Sequence, residues 1–115
     1  VDFEIGLYER ILESDPCFAE VLRVLGHLLT GKGHYDRGLR VDRQLVRIFP
    51  QDPWVRYNLA CSYALLKHSR PAVDALRKAI ELGYSDAEHL EQDSDLDSLR
   101  NDPEYRRLLK ECGWL

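Results

Sequence analysis

Residues 93–104 carry the spacing closest to a ligand set. Asp93, Asp95 and Asp97 stand at alternate positions, Asn101 follows and Glu104 closes the run. This is the oxygen spacing of a twelve-residue calcium loop. Three neighbours oppose it: Ser98 stands where such a loop turns on glycine, Arg100 adds a cation, and Pro103 stiffens the approach to Glu104. The same residues also serve as helix caps, with Asp102 ahead of Pro103 and acidic groups near a positive helix N-terminus. Cys61 and His27 fall on neighbouring helices, yet no third group orients the imidazole and no oxyanion donor accompanies them. His34, His68 and His89 fall at turns or near helix ends. No paired Cys or His spacing suggests zinc. No catalysis, metal or cofactor is expected.

The 115 residues, 44% apolar and 31% charged, suit one folded domain with one continuous core. No apolar run nears the roughly 20 residues of a membrane helix, and no signal peptide is visible. Three widely separated cysteines, Cys17, Cys61 and Cys112, point to a reducing, cytoplasmic setting rather than a disulfide framework. A chain that starts at Val1 and contains no Met reads as a piece of a longer protein.

The elements that would position these residues come from a repeat. Residues 19–52 and 53–86 share a pattern at a spacing of 34: Leu25-Gly26 falls on Leu59-Ala60, Leu29 on Tyr63, Gly38 on Ala72, and Leu45-Val46 on Ala79-Ile80. A fixed period of this size marks stacked supersecondary units that complete their cores against each other. Helices are expected over 19–30 and 35–49, then over 53–66 and 70–82. Gly31 and Gly33 suit the first turn, Asp52 caps ahead of Pro53, and Ser69 is placed to cap the fourth of these helices. Gly38 weakens its helix by about 1 kcal/mol relative to Ala, a cost that close backbone contact with Gly26 would offset.

Residues 2–14 form an amphipathic helix that fits the second half of an earlier unit, with Phe3, Leu7 and Ile11 on one line and Tyr8 and Leu12 beside it. After Asp86 the period fails. Residues 87–115 then read as a capping segment, with a short helix at 87–91 and a last one from Pro103 using Tyr105, Leu108 and Leu109. Residues 1–22 carry one basic and six acidic side chains, residues 23–80 eleven against four, and residues 81–115 four against ten. The basic middle either favours an anionic partner or is neutralised by folding of the two flanks. Arg37, Arg40, Gln44 and Arg47, flanked by Arg43, form a polar stripe. It reads as a solvated convex face rather than a nucleic-acid surface, since no aromatic interleaves with it.

Leu22, Leu25-Gly26, Leu29, Gly33-His34-Tyr35, Gly38 and Pro50 resemble the tetratricopeptide repeat. Asp42 departs from it, standing where an aromatic belongs. The second unit matches at Leu59-Ala60, Tyr63, Ala72, Leu76 and Ala79, without the turn Gly or the final Pro. Asp93 to Tyr105 resembles a segment that often follows such repeats. The resemblance implies an all-α, right-handed superhelical stack of antiparallel helix pairs whose first helices line a concave peptide groove. Glu20, Arg23, His27 and Thr30 share one face of the first such helix; Trp54, Tyr57, Asn58, Cys61 and Ala64 share the matching face of the second. Arg23 is a fork for carboxylate, and Trp54 and Tyr57 either anchor a ligand or pack within the chain. Arg23 and Asn58 occupy two places of the carboxylate-gripping subset, whereas Glu88 and Gln92 hold its third-repeat places. Two functions follow: an adaptor binding a peptide segment of a protein partner, acidic in the reading Arg23 favours, or a scaffold self-assembling into a homo-oligomer through Phe3, Leu7 and Ile11.

Overall fold

A computed structural model describes residues 2–115 of the chain. Seven α-helices run in order, α1 Phe3–Ser14, α2 Ala19–Gly31, α3 Tyr35–Ile48, α4 Pro53–Leu65, α5 Ser69–Glu81, α6 Ala87–Gln92 and α7 Pro103–Glu111. A 3-10 helix, Ser94–Leu99, lies between the last two, and no strand occurs among the described residues. The helices α2 and α4 begin 34 residues apart, at Ala19 and Pro53, as do α3 and α5, at Tyr35 and Ser69.

Helix starts follow local chemistry. Asp52 accepts hydrogen bonds from the Trp54 and Val55 amides at 2.9 and 3.2 Å with Pro53 opening α4, and Asp102 does the same for Glu104 and Tyr105 ahead of Pro103. Ser69 is not a cap. It is the first residue of α5, and His68 stands before it without a side-chain bond to the helix. Helix ends repeat one device. At Gly33, Lys67, Gly83 and Gly113 the backbone turns to φ of 82°, 60°, 115° and 75°. In each case the next amide reaches back across the last turn: His34 to Leu29, His68 to Tyr63, Tyr84 to Ala79 and Trp114 to Leu109. Lys67 thus takes the left-handed conformation that glycine supplies elsewhere.

The main core joins α4 and α5 to everything after them. Ala60, Ala64, Ala72 and Ala79 are small enough to bring the two helices close, while Leu76, Leu96, Leu99 and Leu108 fill the space around them. The 3-10 helix packs on α4, and α7 packs on α5. Ile5, Leu25 and Leu29 join α1 to α2, and Leu22, Leu45 and Val55 join α2 and α3 to α4. Gly38 approaches Thr30 rather than Gly26: a Cβ on Gly38 would stand 2.8 Å from Thr30 Oγ1 and 3.9 Å from the Gly26 carbonyl oxygen. Register explains the difference, because Gly26 faces Val41 one turn further along α3.

The acidic flanks pair with the basic middle. Asp2 bonds Lys32, Glu9 bonds Arg37, and Glu111 meets Arg77 at 3.1 Å. Within the polar stripe, Arg47 donates to Gln44 and the Arg43 guanidinium lies 5.8 Å from the Tyr63 ring centre.

Candidate binding groove

A groove of about 450 Å³ runs between α2, α4 and the segment from His89 to Asp95. Helix α2 contributes Arg23, His27 and Thr30; α4 contributes Trp54, Tyr57, Asn58 and Cys61. Of the residues singled out in the sequence, Glu20 is exposed outside this lining and Ala64 is buried in the core. Phe3, Leu7 and Ile11 lie on α1, away from the groove, with Phe3 78% and Leu7 39% exposed. Ile5, Tyr8 and Leu12 make that helix's apolar contact with α2 and α3.

The groove residues differ sharply in availability. Trp54 is 46% exposed and meets Tyr84 and His89 at ring distances of 5.0 and 5.6 Å. Tyr57 is buried: its ring stacks on Tyr84 at 4.5 Å and its hydroxyl donates to Asp93 Oδ2 at 2.6 Å. It is a wall of the groove, so its reading as a surface anchor is corrected to packing within the chain. Arg23 lies 3.6 Å from Asp52 and 5.0 Å from the Phe49 ring centre, so part of its fork is already engaged. The Cys61 thiol is buried and donates to Asp93 Oδ2 at 3.6 Å. Burial, with Asp93 and Asp95 beside it, pushes that thiol well above its ordinary value, the opposite of what a nucleophile needs.

Acidic residues form the rest of the lining. Asp42 on α3 is buried, accepts from Ser62 Oγ, and is pushed up to about 6 chiefly by desolvation, against the pull of Ser62 and of nearby His27. Asp93 caps the 3-10 helix through a 3.0 Å bond from the Asp95 amide, with His89 Nε2 at 3.5 Å from its other oxygen. Asp95 is pushed up by partial burial and by Asp93 and Asp97. The calcium-loop pattern does not assemble. Asp93 turns to Tyr57, Asp97 to Arg100 at 3.5 Å, and Glu104 to Arg107 within α7, because the 3-10 helix and the cap at Asp102 take the backbone that a metal loop would need.

No family model matches the chain. A 55-residue stretch is 36% identical to a chloroplastic protein of Arabidopsis thaliana; it covers 48% of this chain and 16% of that protein. The crystal structure of MamA superposes with a TM-score of 0.65 over 96% of this chain and 77% of that one, at 19% identity. The fold is a tetratricopeptide-type helical repeat. No helix among the described residues is long and apolar enough to cross a membrane.

Against that repeat, the place of the carboxylates in the groove lining is what sequence reasoning missed. Asp42 had a legible signal, since its spacing from Leu39 and Leu45 puts it on the apolar face of α3. Asp93 and Asp95 stood out only as metal ligands or caps; their place in the groove had no signal, because they follow the point where the 34-residue register ends.

Proposed function

We propose that the chain is a noncatalytic interaction module that holds a peptide segment of a protein partner in the groove. The observation that carries this reading is an open, preformed groove with Trp54 half-exposed at its edge and Asn58 beside it. Its walls are already fixed by the Tyr57–Asp93 and Asp42–Ser62 bonds, so little freedom is lost when a ligand enters. The raised Cys61 thiol supports the noncatalytic reading. Three unpaired cysteines support a reducing, cytoplasmic compartment.

The test is selection of random linear peptides displayed on phage against the immobilised protein, with a Trp54→Ala/Asn58→Ala variant as control. Tyr57 is unsuitable because it belongs to the core. Enriched peptides are expected to lose at least about ten-fold in affinity on the variant. Failure to enrich any sequence, or equal binding to the variant, overturns the reading.

A second reading, homo-oligomerisation through α1, is favoured by one observation. Leu7 and Ile11 correspond by the 34-residue register to Val41 and Leu45, which pack in the core beneath α2 and α4, whereas Leu7 is exposed. A second copy's apolar helix would cover that face. Sedimentation should then give a smaller species for Leu7→Glu than for the wild type; identical species would dismiss it.

A further inference from the structure

We propose that the outer face of α3, through Arg40, Arg43 and Arg47, docks an acidic helix of a partner protein. None of the three lines the groove, so this surface stays open whether or not the groove is filled. The sequence offers two fates for the basic middle, an anionic partner or neutralisation by the flanks. The structure divides the charge between them. Lys32, Arg37 and Arg77 pair with the flanks, and Arg23 faces Asp52. Arg40, Arg43 and Arg47 are exposed, and among the described residues no carboxylate forms an ion pair with any of them. The charge that the flanks leave over is therefore concentrated on one helix.

Helical spacing sets the three on one side of α3, at i, i+3 and i+7, while the buried Leu39, Asp42 and Leu45 turn to the other. The row spans about 10 Å along the axis, two turns of helix. Two of its members are held before any partner arrives. The Arg43 guanidinium lies 5.8 Å from the Tyr63 ring centre, and Arg47 donates to Gln44 at 3.2 Å. Such ordering reduces the side-chain freedom lost on docking. All three are arginines, whose planar fork grips a carboxylate through two parallel bonds where lysine offers a point charge. A helix with carboxylates at the same spacing sets one acid against each guanidinium.

The row is also narrow. Asp36 is exposed at the start of α3, Glu9 stands beside it on Arg37, and Glu13 follows one turn further along α1. A flat anionic membrane or a nucleic-acid duplex would press its charge against these carboxylates too. A helix is slim enough to meet the arginines alone, and the flanking acids then repel the broader anions.

The probe is a fluorescein-labelled, alanine-based helical peptide with glutamates at the spacing of the row, followed by fluorescence anisotropy, with its glutamine counterpart as control. The glutamate peptide is expected to bind, more weakly as salt is added, and the glutamine peptide to stay free. Arg40→Gln/Arg47→Gln should weaken binding about ten-fold. Both side chains are exposed, so this variant keeps the fold, which its circular dichroism checks. Trp54→Ala/Asn58→Ala should leave the affinity unchanged. No binding of the glutamate peptide, equal binding by the arginine variant, or loss with the groove variant overturns the proposal. So does tighter retention of a duplex DNA oligonucleotide or of phosphatidylserine vesicles that the arginine variant abolishes, which gives the row to phosphate. Any of these failures leaves the groove reading standing, because phage selection tests that reading on different residues.

Discussion

Asp42→Asn should stabilise the protein at neutral pH, by an amount that shrinks as the pH falls toward about 4. Burial raises the Asp42 carboxyl from an ordinary 3.8 to about 6. A raised carboxylate favours the folded state while it is protonated. Its contribution is complete below the unfolded value, declines as pH rises through about 6, and is gone above. A rise of that size corresponds to about 3 kcal/mol as an upper figure. The groove lets water reach this residue, so a difference of about 1–3 kcal/mol is expected. Asparagine keeps the carbonyl oxygen that accepts from Ser62 Oγ and has no charge to desolvate. Urea unfolding at pH 4.5, 5.5, 6.5 and 7.5 isolates the effect, because the other titrating groups cancel between the two proteins. The variant's advantage should be smallest at the lowest pH, widen as pH rises between about 4 and 6, and level off above that. A pH-independent gap, or a variant less stable at pH 7.5, would refute the reasoning.

Lys67→Gly should raise stability by about 0.5–1 kcal/mol in thermal unfolding, since a left-handed lysine costs more than glycine's added chain entropy; a loss would show that the turn tolerates lysine without strain. Gly38→Ala should destabilise the wild type but stabilise a Thr30→Ala background by up to about 1 kcal/mol, the helix-propensity gain, once the 2.8 Å contact is gone; additive effects would contradict it. Tyr57→Phe should cost about 1.5–3 kcal/mol in denaturant unfolding by removing the hydroxyl donor to Asp93, whereas no cost would mean that Cys61 and the Asp95 amide hold Asp93 unaided.

The stack was legible wherever the 34-residue register runs. The four helices from Ala19 to Glu81 begin within a residue of expectation, because Leu25, Leu29, Leu59 and Leu76 report helical period through burial. Legibility failed where side chains serve two masters. Ser69 looks like a cap by type, yet α5 starts one residue earlier and makes it helical. Tyr57 shares a face with Trp54 by spacing, but its partner Tyr84 lies beyond α5, and no local pattern shows that the two rings stack. Asp93 reads as a metal ligand or a cap, with nothing local to place it in the groove. Only the path of the chain after Asp86 decides.

Two departures from the repeat pattern, Asp42 and the segment after Asp86, meet at the groove. A third repeat would place another first helix beside α4. The chain instead places there a short helix and an acidic 3-10 helix whose leucines, Leu96 and Leu99, seal the core while Asp93 and Asp95 face the groove. One segment thus seals the core against α4 and forms a wall of the groove. The Tyr57–Asp93 bond ties the two roles, since the same carboxylate caps the 3-10 helix and holds a core tyrosine. Loosening it should therefore blur the groove as well as weaken the fold. In the peptide-binding role proposed above, a rigid wall of this kind would leave selection among ligands to charge and to Trp54, the one large aromatic in the groove that the core does not claim.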